Sequence, residues 1–454
     1  MAPDRTTDLK HAIARSGRAW SSLLLAAIAL SACSGGWLGG GKEKPLPGER
    51  IAVLTLESTL KADERLADLD VQLPKPDPND EWPQEGGYPN HAMHHLAASG
   101  PLEQLWRTSV GEGNNSEAQL LAQPVIAGGR VYTMDVEAEV RALDMETGNT
   151  VWRRELSTSD NHEGILGGGL AVAGGRLYAT TGFAAVVAMD AATGKEIWRK
   201  VLNGPIRAAP TVRAGRVFVV TVTNEMFALA ADDGRQLWTH AGLTEVAGLV
   251  GGAAPAADAG VIVVPYTSGE VVALRVENGR MIWTDSLAAL RRSDAVTSIA
   301  HIRGRPVIDR GVVYVVANSR RTVAIDLRTG TRLWEVPIGG LQGPWVAGEF
   351  IYIVTRDAEL ICLTRRGGRI RWVTQLPRYE DEEDKEDPIQ WSGPILVSDR
   401  LLVMGSQEEI WSVSPYTGKV LGIIDTPAPV SITPAVARET VFLLTDEADL
   451  IALR

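Results

Sequence analysis

Three histidines within five residues, in Asn90-His91-Ala92-Met93-His94-His95-Leu96, are the densest set of metal-ligating side chains in the sequence. Two of them could share one ion, but no neighbouring cysteine or carboxylate pattern completes a site. Packing is the favoured reading, in a segment that clasps the fold together with Trp82-Pro83-Gln84-Glu85-Gly86-Gly87. Only two cysteines occur. Cys362, in the apolar run Leu360-Ile361-Cys362-Leu363, reads as a small core residue rather than a nucleophile. Cys33 closes an apolar run and is the candidate for covalent modification. The stretch Glu380-Asp381-Glu382-Glu383-Asp384-Lys385-Glu386-Asp387 lacks the glycine of a calcium loop. It reads as a solvated loop, with contact to a basic partner as the sharper option. Phosphate-loop, dinucleotide, zinc-protease and serine-hydrolase motifs are all missing. No catalytic residue, cofactor site or metal site is expected.

The setting of Cys33 explains its chemistry. A basic opening (Arg5, Lys10, Arg15, Arg18) precedes an uncharged stretch, residues 21–32, too short to span a bilayer. Leu30-Ser31-Ala32-Cys33 resembles a bacterial lipobox, so residues 1–32 read as a lipoprotein signal and Cys33 as the lipidated terminus. Ser34 follows where Asp would retain a lipoprotein in the inner membrane, which implies the periplasmic face of the outer membrane. Residues 33–101 read as a Gly-rich tether and the clasp, with some helical periodicity over residues 60–70.

Composition excludes several classes. The 454 residues carry 46 Gly, 24 Pro and 13 Trp, ordinary for a globular chain except in tryptophan. No apolar run reaches the ~18 residues of a membrane helix. The net charge is −11. Without residues 1–32, 41 basic and 54 acidic side chains leave −13. That balance argues against nucleic acid as a partner.

An internal repeat accounts for the tryptophans. Ala142-Leu143-Asp144-Met145-Glu146-Thr147-Gly148-Asn149-Thr150-Val151-Trp152 recurs at Ala188/Asp190/Gly194/Trp198 and Ala324/Asp326/Gly330/Trp334. Partial copies keep Gly234/Trp238, Gly279/Trp283 and Gly368/Trp372, while a seventh has Gly422 where Trp belongs. Each unit adds upstream strands and Gly turns, which is the pattern of a β-propeller blade. Asp and Thr oxygens hold such a turn, and Gly supplies its positive φ. The tryptophans are expected to pack between blades. Residues 102–110 offer a Trp106 strand without its three predecessors, and residues 449–454 a third strand without its turn. Joined, they close a ring of eight blades over residues 102–454 and remove two sheet edges.

The Ala-x-Asp-x-x-Thr-Gly-x-x-x-Trp phrase resembles the tryptophan-docking motif of PQQ-like eight-bladed propellers. With the lipobox and tether, the chain resembles the BamB family of outer-membrane assembly lipoproteins. That resemblance implies a noncatalytic periplasmic scaffold. It would bind the POTRA repeats of the barrel insertase and other assembly-machine subunits, support outer-membrane protein folding, and possess no cofactor. Unfolded outer-membrane proteins are possible clients. Quinoprotein dehydrogenases share only the blade motif, and a propeller scaffold for another envelope partner is the remaining alternative.

Propeller ligands meet inter-blade loops at one rim, because the strands are committed to blades. Loops 245–252 and 291–304 interrupt the regular spacing. By position, the resemblance places insertase contacts at Leu249, Val250, His301 and Arg303. The family pairs an apolar-plus-Arg loop with an acidic loop there. This chain has Val250 in place of the Arg, and His301 and Arg303 in place of the acids.

Overall fold

The structure, a computed structural model, describes residues 60–157, 167–245, 249–288 and 301–454. Cys33 and the tether up to residue 59 lie outside them. The described residues form eight four-stranded antiparallel sheets, an eight-bladed β-propeller. Blade 1 shows the plan: Val125–Ala127, Arg130–Met134, Glu139–Asp144 and Thr150–Glu155, each paired to the next. Blades 2 to 7 span residues 168–201, 211–241, 256–286, 307–336, 345–375 and 391–425. Blade 8 is composite. Ala435–Ala437, Thr440–Leu444 and Asp449–Leu453 take Gln104–Ser109 as their fourth strand, with Trp106 opposite Ala452. First strands of consecutive blades touch in order from blade 1 to blade 7, and that of blade 8 touches that of blade 1.

Burial follows radial position. The second and third strands are aliphatic and almost wholly buried, as in Arg216–Val220 and Glu225–Ala230. Fourth strands face water, and in Thr150–Glu155 only Trp152 is buried. Each of the seven repeat tryptophans spans the gap to the next blade. Trp152 Nε1 donates to Ala191 O at 3.1 Å and Trp198 Nε1 to Ala231 O at 3.0 Å. Trp106, Trp238, Trp283, Trp334 and Trp372 repeat this donation to Met145, Val276, Leu327, Arg365 and Pro415. The indole lies flat against the next blade's turn glycine. A Cβ on Gly194 would come within 2.6 Å of Cε3 of Trp152. The turn is held as its sequence implies: Asp190 Oδ1 accepts from Thr193 N at 2.8 Å and from its hydroxyl at 2.7 Å.

Junction 7–8 is the exception. Gly422 occupies the Trp position, and nothing lies within 4 Å of a Cβ built there. Blade 8 has no turn joining its third and fourth strands, since the fourth comes from residues 104–109. In its place Glu103 N donates to Arg454 O at 2.8 Å, and Glu103 O accepts from Arg454 N at 3.0 Å. The missing indole and the missing turn coincide.

Residues 77–98 visit the inner strands of all eight blades. Asn79 bonds Val436 O in blade 8. Trp82 exchanges backbone bonds with Ile126, and Pro83 O accepts from Val172 N. The Gln84 amide pairs Val212 twice, at 2.9 Å each. Pro89 O and Asn90 O take Ala257 N and Ile308 N, and Leu96 pairs blade 7. In blade 6 the Trp345 indole donates to His94 O at 2.6 Å and stacks on Trp82. Strand edges that would otherwise face the axis unpaired are thereby satisfied. The helical periodicity of residues 60–70 yields one 3₁₀ turn, Glu64–Leu66.

Candidate functional site

The turns holding Asp144, Asp190 and Asp326 lie on one face of the ring. Antiparallel order puts the inter-blade loops and the hairpins between second and third strands on the other. On that second face the axis holds a cavity of about 720 Å³. Its wall includes Arg207, Gly251, Arg303, Arg305, Arg356 and Asp446, and Glu85 joins them from the segment crossing the axis. An adjoining cavity of about 270 Å³ shares Arg207, Gly251 and Gly252 and adds Leu249, His301 and Ile302.

The four loop residues singled out by sequence come together here. Leu249 N donates to His301 Nδ1 at 2.9 Å, linking the loops that enter blades 4 and 5. That bond leaves the His301 proton on Nε2. Burial, then the cationic Arg303 and Arg207, lower the His301 pKa to about 4, so the ring is neutral at pH 7. His301 is buried, whereas Val250 next to Leu249 is exposed. Arg303 turns to the axial cavity and packs on Gly251, where a Cβ would meet its Nε at 3.1 Å. Residues 246–248 and 289–300 of these loops lie outside the described residues.

Other candidates are dispersed. His91 Nδ1 donates to Pro306 O at 2.8 Å, and burial lowers its pKa to about 3. His95 donates from Nδ1 to Pro74 O at 2.7 Å and accepts at Nε2 from Asp399 N at 3.0 Å. His94 faces Asp309 at 3.5 Å. His91 and His94 thus meet the first strand of blade 5 and His95 meets blade 7, and no metal-binding group of three His, Cys, Asp or Glu occurs among the described residues. Cys362 is wholly buried, and burial raises its thiol pKa. The acidic run forms an exposed hairpin between blades 6 and 7, Tyr379–Asp381 paired with Glu386–Pro388. Sequence reading did not single out Arg207, Arg305 and Arg356: Arg207 and Arg356 stand in other loops or hairpins, and Arg305 lies just past the segment, residues 291–304, that broke the repeat spacing.

A sequence model described as outer membrane protein assembly factor BamB matches residues 97–162 and 136–374. The Yersinia pestis protein of that name is 30% identical over 301 residues, 65% of this chain and 76% of that one. The Salmonella typhimurium protein is 29% identical over 106 residues, 23% of this chain, and the match spans only 26% of its length. The crystal structure of BamB from Moraxella catarrhalis superposes with a TM-score of 0.66 at 16% identity, covering 78% of this chain and 99% of that one. A quinoprotein alcohol dehydrogenase, PedH of Pseudomonas putida, is 26% identical over 136 residues, 26% of this chain and 22% of that one.

Proposed function

This chain belongs to the family of the outer membrane protein assembly factor BamB, and from that premise we propose that it is a noncatalytic scaffold of outer-membrane β-barrel assembly. The observation that carries the reading is the union of Leu249, Val250, His301 and Arg303 on one face of a closed ring. Rigid blades hold the two loops, and the Leu249–His301 bond fixes their spacing. The surface so made binds the periplasmic POTRA repeats of the barrel insertase. Lipid on Cys33 keeps the disc at the inner leaflet of the outer membrane, and the tether gives it reach.

Unfolded clients have a place on the rim. Val420–Asp425, the outer strand of blade 7, exposes Val420, Leu421 and Ile423 and bears no charge before Asp425. An extended client segment adds to such an edge by main-chain bonds.

The match to a quinoprotein alcohol dehydrogenase favours a second reading, catalysis at the axis. Against it stands the donor set. Glu85 is paired with Arg305 at 2.6 Å, Asp446 is bonded to Ser431, and Cys362 has no neighbouring cysteine. These residues do not fit a calcium-bound quinone, which needs free oxygen ligands.

Affinity purification of the tagged, lipidated protein from envelopes tests the scaffold reading. Recovery of the barrel insertase is expected, and its absence overturns the reading. Leu249→Asp with Arg303→Glu should reduce that recovery while the far-UV spectrum is unchanged. Quinone-dependent dye reduction by the pure protein would establish the alternative.

A further inference from the structure

Charge in the axial cavity is unbalanced. Four arginines, Arg207, Arg303, Arg305 and Arg356, face two carboxylates. Both carboxylates are engaged. Glu85 Oε1 accepts from Arg305 Nη1 at 2.6 Å, and Asp446 accepts from the N–H and hydroxyl of Ser431 at 3.0 and 2.7 Å. Arg207, Arg303 and Arg356 make no salt bridge among the described residues, and the Glu85 that Arg303 feels is already held by Arg305. Arg207 Nε is buried with no acceptor. Desolvation lowers the Arg303 pKa, and Glu85 offsets only part of that. Arg207 and Arg303 are half-buried, whereas Arg356 is exposed at the mouth. An unpaired, half-buried guanidinium is costly, and an incoming anion relieves that cost. In a chain of net charge −11 this is a local reversal of sign.

Apolar surface adjoins the cations. The second cavity has a mixed wall: it runs from Arg207 along Gly251 and Gly252 to Leu249, Val220 and Ile302, and Thr221, Thr223, Asn224 and Glu245 also line it. A free polycarboxylate would satisfy the arginines and leave that pocket unfilled. A peptide loop carrying both carboxylates and an aliphatic side chain fits both cavities. We propose that the axial cavity receives an acidic, leucine-bearing loop of the partner protein. Its carboxylates meet Arg207, Arg303 and Arg356, and its aliphatic side chain enters the pocket beside Leu249. The proposal rests on the scaffold reading and adds the chemistry of the partner.

Fluorescence anisotropy on the purified full chain in detergent tests it. The probes are a fluorescein-labelled peptide alternating glutamate and leucine, its lysine–leucine and glutamate–serine counterparts, and unlabelled citrate. The glutamate–leucine peptide should bind, and the lysine peptide should not. Affinity should fall about tenfold or more in Arg207→Gln/Arg303→Gln, and again at high salt. Leu249→Ala should weaken the leucine peptide and spare the serine one. Equal binding of acidic and basic peptides overturns the proposal, as does unchanged affinity in the double-arginine variant with an unaltered melting curve. Citrate displacing the peptide at the peptide's own Kd would identify a free polyanion and overturn the loop as occupant. The two readings fail separately. Insertase recovered equally by wild type and the arginine variant sinks the loop and leaves the scaffold, whereas no recovery by wild type sinks the scaffold and so this proposal with it.

Discussion

The backbone N–H of Leu249 is bonded to Nδ1 of His301 at 2.9 Å, which ties the residue entering blade 4 to the one entering blade 5. The bond needs an unprotonated Nδ1, which makes the junction sensitive to acid. His301 has a folded pKa near 4 against an ordinary 6.5, through burial first and then Arg303 and Arg207.

The sign follows from proton binding. Between pH 6.5 and 4 the unfolded chain binds a proton at this residue that the folded chain does not. Stability therefore falls as pH drops through that window and is complete above it. The shift corresponds to up to roughly 3 kcal/mol. His91, held near 3, contributes with the same sign. Urea unfolding at pH 7, 5.5 and 4.5 should show a shallower decline in His301→Gln than in wild type. Equal declines would show that the imidazole protonates freely in the folded ring.

Docking across blade junctions gives a paired prediction. Trp152→Ala removes a buried indole and its bond to Ala191 O, and should cost about 3–5 kcal/mol. Gly194→Ala places a methyl against the same indole at φ +68° and should cost at least about 1 kcal/mol. Chemical denaturation measures both. The double variant should cost less than the sum, because the alanine at 194 has no indole left to meet.

Restoring the repeat at its defective position should not help. Gly422→Trp completes the motif, but no turn glycine or carbonyl of blade 8 waits for the indole. Stability should change by no more than about 0.5 kcal/mol. A gain above 2 kcal/mol in the same denaturation assay would mean that residues 100–103 form a docking surface after all.

Gln84 acts as a strand in miniature. Its amide serves both the N–H and C=O of Val212, and the site is buried. Gln84→Ala should cost about 1–3 kcal/mol, since it strands two buried main-chain groups. Hydrogen exchange at Val212 should accelerate in the variant. Protection equal to wild type would show that another group takes over.

What the sequence determined by itself was the periodic part. Asp190, Thr193, Gly194 and Trp198 specify a turn and an outer strand through local bonds and a positive φ, so the repeat reveals blade type, count and closure. Leu249 and His301 were legible as loop residues because their segments break the repeat spacing. Tertiary structure alone decided the rest. Gly194 meets Trp152 of the preceding blade rather than its own Trp198, because the indole projects sideways from an outer strand. Residues 77–98 follow no period, and their route is set by unpaired inner edges scattered over the whole chain. Arg207, the Arg303/Arg305 pair and Arg356 belong to three separate loops or hairpins, and only closure of the ring turns them toward one axis. Local chemistry writes the blade, while convergence of charge depends on contacts between residues up to 149 positions apart, which no short-range pattern records.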